Sequence, residues 1–110
     1  MSWLINQNKA LGLIGISAKA GKVAFGAEQV TEAVERGKVK LVILAKDASE
    51  KTKENFVLFC KRRNVRVIIY ETIENLSKAI GKQNKAIIAI KDKNLGEEIY
   101  KIICGGEAIG

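Results

Sequence analysis

The residues best placed to do chemistry stand together at Gly26-Ala27-Glu28-Gln29. Gly26 precedes an amphipathic run, Ala27 to Arg36, which Gly37 closes. A helix starting there offers backbone N–H groups that no helical carbonyl accepts, and a partial positive charge at the same point. Gln29 adds a side-chain amide that both donates and accepts, and Glu28 a carboxylate that accepts. That is the chemistry of recognition by hydrogen bonding. Bond-making chemistry finds little support. The chain has no histidine, which nearly excludes zinc sites of Cys/His type and any mechanism needing a histidine base. Glu28, Glu32 and Glu35 recur on one helix face, the usual pattern of a solvated surface. Gly21-Lys22 resembles a fragment of a phosphate loop, but the upstream glycine of that motif is absent and Val23 replaces its Ser or Thr. No enzyme, cofactor or metal site is expected.

Charge points to the kind of partner. The 110 residues carry 19 Lys and Arg against 12 Asp and Glu, a formal net charge of +7. Such a surplus favours anionic partners, nucleic acid first among them. Lys22, Lys38, Lys40 and Lys46 flank the Gly26 helix, and Lys51, Lys53, Lys61, Arg62 and Arg63 lie on or beside the next one. All can neutralise phosphates. No RNP-type aromatic sheet or base-stacking ladder is present, which disfavours single-strand stacking. A folded RNA, recognised by shape with a few unpaired bases read at a helix start, fits better, and DNA is not expected. No run approaches the ~20 apolar residues of a membrane span. The N-terminus lacks the pattern of a signal peptide, so a cytoplasmic location is expected. Cys60 and Cys104 lie in apolar runs and read as buried thiols in a reducing compartment.

The elements that must position these residues follow from periodicity. A first helix is predicted from Trp3 to Ala18, capped by Ser2, with Leu4, Leu11, Ile14 and Ala18 inward and Gly21 as its stop. Lys22 to Ala24 reads as a short strand. In the next helix Ala27, Val30, Ala33 and Val34 share the core face, Gly26 is the N-cap, and Phe25 with Val30 would form a hydrophobic staple. Val39–Ala45, Val65–Tyr70 and Ala86–Ile90 are β-branched apolar runs, as strands covered on both faces require. Asp47 or Ser49 would cap a third helix, Asp47 with Glu50 having capping-box spacing; Thr72 a short fourth; and Asn94, paired with Glu97, the last. Alternating strands and helices imply an α/β fold, a three-layer α/β/α sandwich around a mixed sheet of roughly four strands. One domain spans 1–110, with a flexible tail from about residue 105.

Three segments carry a resemblance. Gly26-Ala27-Glu28-Gln29-Val30-Thr31-Glu32-Ala33-Val34-Glu35-Arg36-Gly37 is similar to the signature helix of the L7Ae/L30e ribosomal protein family. Lys40-Leu41-Val42-Ile43-Leu44-Ala45 resembles the strand that follows it, and Thr72-Ile73-Glu74-Asn75-Leu76-Ser77-Lys78-Ala79-Ile80-Gly81 its later loop and short helix. The similarity covers nearly the whole chain and points to small bacterial members of the YlxQ type. It implies an α/β/α sandwich that binds kink-turns, RNA helices sharply bent at an internal loop with tandem G·A pairs. By that resemblance the glycine and helix start approach the G·A pairs, and the two residues after Gly26-Ala27 read base edges. Gln29 matches one family variant. Glu28 and Glu32 stand where the family commonly has other residues, Lys at the second, and carboxylates facing phosphates cost affinity. The loop at Glu71, Thr72 and Ile73 would add a contact, with Ile73 against a flipped-out base. Phosphate neutralisation would fall to Lys22, Lys38 and Lys46, and Arg36 is counted among the RNA-binding residues. The expected partner is a structured, kink-turn-like RNA, ribosomal in origin. The alternative is the same scaffold with its acidified face serving as a protein-interaction module.

Overall fold

Two strands with every residue buried, Leu41–Leu44 and Ile87–Ile90, form the centre of the molecule. The structure, a computed structural model, describes residues 2–105, with side chains described for 9–104. In chain order the elements are α1 (Ser2–Lys19), β1 (Val23–Phe25), α2 (Ala27–Glu35), β2 (Leu41–Leu44), α3 (Glu50–Arg62), β3 (Arg66–Ile69), α4 (Ile73–Ala79), β4 (Ile87–Ile90) and α5 (Lys93–Tyr100), which runs on into a π-turn at Lys101–Gly105. The four strands lie in the order β1-β4-β2-β3. β4 pairs antiparallel with both β1 and β2, and β3 pairs parallel with β2, so the sheet is mixed.

The period of two along each strand divides the core. Leu41, Ile43, Ile88 and Ile90 face one way and meet Ala10 and Ile14 of α1, Leu76 of α4 and Ile99 of α5. Val42, Leu44, Ile87 and Ala89 face the other way and meet Val30 and Val34 of α2 and Cys60 of α3. This is the expected three-layer sandwich. Gly15 lets α1 come close to α4, since a Cβ there would stand 3.0 Å from the Ala79 carbonyl oxygen. Helices α1 to α4 end alike. The N–H pairs Gly21/Lys22, Gly37/Lys38, Asn64/Val65 and Gly81/Lys82 donate back to the last helical turn, as in a Schellman motif, and turn the chain toward the sheet.

Several local expectations are corrected. Ser49 caps α3, its Oγ accepting from the Thr52 N–H at 3.1 Å. The Asp47–Glu50 capping box does not form, because the Asp47 carboxylate accepts from the Ile73 N–H at 2.8 Å and Glu50 pairs with Lys53 at 3.1 Å. Asp92, not Asn94, caps α5: it sits one residue before the helix in extended backbone and accepts from the Leu95 N–H at 2.8 Å. The Phe25–Val30 staple does not form, because strand alternation turns Phe25 toward the α1 side of the sheet while Val30, on α2, packs against the other side. The Val65–Tyr70 run yields an edge strand, β3, with one β-partner and Ile69 50% exposed. The expected Ser2 cap, inward Leu4 and flexible tail lie outside the described side chains.

Two buried polar features make testable predictions. Ser77 Oγ accepts from the Lys85 N–H at 2.8 Å and fastens the loop before β4 to α4. Ser77→Ala orphans that N–H and is expected to lower stability by about 1–3 kcal/mol in urea unfolding. Burial pushes the Cys60 thiol up to about 11. Burial first, and the Glu71 carboxylate second, push the Tyr70 hydroxyl up to about 12. Both groups hold their protons in the folded chain at pH values where the unfolded chain has released them. Stability is therefore complete below about pH 8.5 and falls as pH rises through the folded values. The urea midpoint is expected to be lower at about pH 10.5 than at about pH 8.

Candidate nucleic-acid interface

At the end of β1 the chain turns through Gly26, φ 86° and ψ 155°, into α2. That conformation is open to glycine almost alone. A Cβ here would meet nothing within 4 Å, so the need for glycine is conformational and the space over the helix start is open. The Gly26 N–H donates to the Ile87 carbonyl at 2.9 Å, fixing the helix start to the start of β4. The first helical bond runs from the Val30 N–H to the Gly26 carbonyl at 3.0 Å. The N–H groups of Ala27, Glu28 and Gln29 precede any helical acceptor, and all three residues are exposed. Gln29 Oε1 accepts from the Phe25 N–H at 3.3 Å, which leaves the amide NH2 as the part that can reach a partner.

One turn further, Glu32 pairs with Arg36 at 3.3 Å, both about two-thirds exposed at 67% and 66%. An exposed pair of this kind contributes little stability, but it softens the field of each charge. Glu28, Glu32 and Glu35 share a shallow groove between α2 and α3 with Phe56.

The antiparallel register of β1 and β4, Phe25 opposite Ile88, places the residues just before Ile87 beside Gly26. That loop is Gly81-Lys82-Gln83-Asn84-Lys85-Ala86. Asn84 and Lys85 line a cleft with Gly26, Ala27, Asn55 and Phe56. The Lys82 and Lys85 ammonium groups stand 5.0 and 5.4 Å from the centre of the Phe25 ring. The ring's negative face holds both cations beside the helix start. Asn84 has φ 57°, an αL position that Asn tolerates.

Across this loop lies the segment after β3. The Lys46 N–H donates to the Glu71 carbonyl at 2.7 Å, and the Asp47 carboxylate holds the Ile73 N–H. Glu71 has φ 64°, and its carboxylate accepts from Asn75 Nδ2 at 2.7 Å. Thr72 caps α4, accepting from the Asn75 N–H at 3.1 Å. Ile73 is half-buried and shares a cleft with Asp47, Lys82, Gln83 and Asn84. Lys46 itself is exposed.

One end of the sheet therefore gathers Gly26, Ala27, Glu28, Gln29, Lys46, Glu71, Thr72 and Ile73. Glu32 and Arg36 lie further along α2. Lys22 and Lys38 do not join them. The Lys22 carbonyl accepts from the Lys91 N–H at the far end of β1, and Lys38 follows the C-terminal end of α2. The strand rise separates Lys22 from Gly26 by about 13 Å. The cations beside Gly26 are Lys82 and Lys85, which local sequence pattern does not single out. Their only signal was a polar turn ahead of a buried strand, and it needed the strand order to be read. Among the described residues no group of three or more His, Cys, Asp or Glu could hold a metal, and no helix is long and apolar enough to cross a membrane.

Comparisons with known proteins agree with this architecture. A family model described as ribosomal protein L7Ae/L30e/S12e/Gadd45 family matches residues 8–100. The large ribosomal subunit protein eL8 of Thermoplasma acidophilum is 31% identical, over 86% of this chain and 79% of its own. The RNA-binding protein YlxQ of Enterococcus faecium is 31% identical, over 91% of this chain and 96% of its own. A solved structure of a protein of unknown function from Bacillus halodurans superposes with a TM-score of 0.84 at 35% identity, covering 86% of this chain and 96% of that one. With the family model matched over most of the chain and relatives at 31% identity, the chain belongs to the ribosomal protein L7Ae/L30e/S12e/Gadd45 family.

Proposed function

We propose that this chain is a non-catalytic, ribosome-associated RNA-binding protein that recognises a kink-turn or similar structured RNA at the helix start following Gly26. The observation that carries the reading is the convergence of three loops at one end of the sheet: 26–29, 71–73 and 81–86. Each supplies a different chemistry. The helix start offers unpaired N–H groups, the Gln29 amide donor and the Glu28 acceptor, which suit base edges that present both acceptors and amino groups. Lys46, Lys82 and Lys85 supply phosphate neutralisation. Ile73 supplies an apolar surface for an unstacked base. The relatives named ribosomal protein eL8 and RNA-binding protein YlxQ support RNA as the partner class.

Electrostatics shape the expected behaviour. Glu28 and Glu32 place negative charge near the incoming backbone, so binding leans on hydrogen bonds at the bent internal loop more than on bulk charge. In a titration against a kink-turn RNA and a control with its G·A pairs disrupted, the first is expected to bind tighter, at both low and higher salt. Gln29→Ala is expected to weaken binding to the kink-turn by about 1–3 kcal/mol, the range of a base-edge contact. An unchanged curve for that variant removes Gln29 from the site.

The groove lined by Glu28, Glu32, Glu35 and Phe56 favours a second reading, in which this face takes a basic protein segment. The double variant Glu28→Asn/Glu32→Lys separates the two. A wild-type protein that binds RNA, with the double variant gaining at most several-fold, supports the RNA reading. RNA affinity that emerges only in the variant supports the protein-binding one.

A further inference from the structure

Each of the four strands carries a cation at the same end of the sheet, the end opposite Gly26. Lys22 immediately precedes β1, Lys91 immediately follows β4, Lys40 immediately precedes β2 and Arg66 begins β3. The register aligns three of them and sets the fourth one residue inward: Val23 lies opposite Ile90 and Ile90 opposite Leu41, so Lys22, Lys91 and Lys40 adjoin just beyond those positions, while Arg66 itself lies opposite Leu41. Hydrogen bonds tie the three lysines together across β1, β4 and β2. The Lys91 N–H donates to the Lys22 carbonyl, and the Lys40 N–H to the Ile90 carbonyl, both at 2.8 Å. With neighbouring strands about 4.8 Å apart, the four cations span roughly 14 Å. Lys22, Lys40 and Arg66 are exposed and Lys91 is half-buried.

Among the described residues none of these four enters an ion pair. The Arg66 guanidinium lies over the Tyr100 ring, 4.3 Å from its centre, which orients it without neutralising it. The Asp92 carboxylate, next in sequence to Lys91, accepts from the Leu95 N–H as the cap of α5 and pairs with none of the four. Like charges on adjacent strands repel. Protection of open sheet edges does not account for the row, because Lys91 and Lys40 end the two central strands. A line of unpaired point charges suits a run of backbone phosphates.

We propose that this end of the sheet is a second RNA site, separate from the Gly26 end, that holds the phosphate backbone of a duplex RNA segment without reading its sequence. The site stands independently of kink-turn recognition, and its test uses an RNA with no kink-turn.

The test titrates the full chain, at two salt concentrations, against a uniform RNA duplex lacking internal loops, followed by fluorescence anisotropy. The triple variant Lys22→Gln/Lys40→Gln/Lys91→Gln is compared with a control of equal net charge, Lys9→Gln/Lys78→Gln/Lys101→Gln, drawn from exposed positions elsewhere. The strand-end triple is expected to lose at least tenfold in affinity at low salt, with its salt slope smaller by about two to three, since each phosphate contact contributes roughly 0.7–0.9. The control is expected to lose less than threefold. Replacing the same three lysines by arginine preserves charge and is expected to restore binding, which separates lost contacts from lost folding. Equal losses in the two Gln triples, or no duplex binding by the parent chain, overturn the proposal. A failure of kink-turn recognition leaves these outcomes unchanged, so the two proposals fall separately.

Discussion

Burial of β2 and β4 on both faces is the constraint on which the rest of the structure depends. Neither strand has an exposed residue, so both must be apolar throughout, and their side chains must alternate between two helical layers. A strand of this kind can carry no chemistry along its length. Polar and charged groups are pushed to its two ends. The antiparallel order of β1, β4 and β2 then decides which loops share an end, and the loops before β4 and after β1 become neighbours. The proposed RNA-binding surface follows from that pairing rather than from any single motif.

Much of this was legible in the chain. Residues whose environment is set by local geometry were read correctly: Gly26 as the start of α2, Gly37 and Gly81 as stops, Thr72 as a cap, and the β-branched runs as strands. Local pattern misleads where two nearby residues compete for one role. Asp47 and Ser49 both precede α3, and Asp47 was drawn away by an N–H twenty-six residues distant. Asp92 and Asn94 both precede Leu95, and the one in extended backbone won. The edge position of β3 was hidden because its composition resembles that of a central strand. The basic residues were harder still. Lys22 is four residues from Gly26 in sequence but a full strand away in space, whereas Lys85 is distant in sequence and adjacent through the β1–β4 pairing. Pairing order is a non-local property, and residue types near one helix do not encode it.

The two ends of the sheet differ in character. At the Gly26 end, cations are mixed with carboxylates and amides: Lys82 and Lys85 rest against Phe25, while Glu28 and Glu71 stand nearby and several backbone N–H groups precede the first helical acceptor. Such a mixture favours selectivity, because a wrong partner leaves polar groups unpaired. At the other end the row is uniformly positive and free of ion pairs among the described residues. Such a row favours affinity without selectivity. On the two proposals, one small sheet separates discrimination from attraction by the length of a strand.

The most direct test of this account is an amide map of the nitrogen-labelled protein by NMR, recorded free and with equimolar kink-turn RNA. The account places the largest shifts at the backbone N–H groups of residues 26–30, 71–73 and 82–86, all at one end of the sheet. Shifts confined to the groove side of α2, around Thr31 and Glu35, or spread evenly over the basic surface with those three loops unmoved, would contradict it.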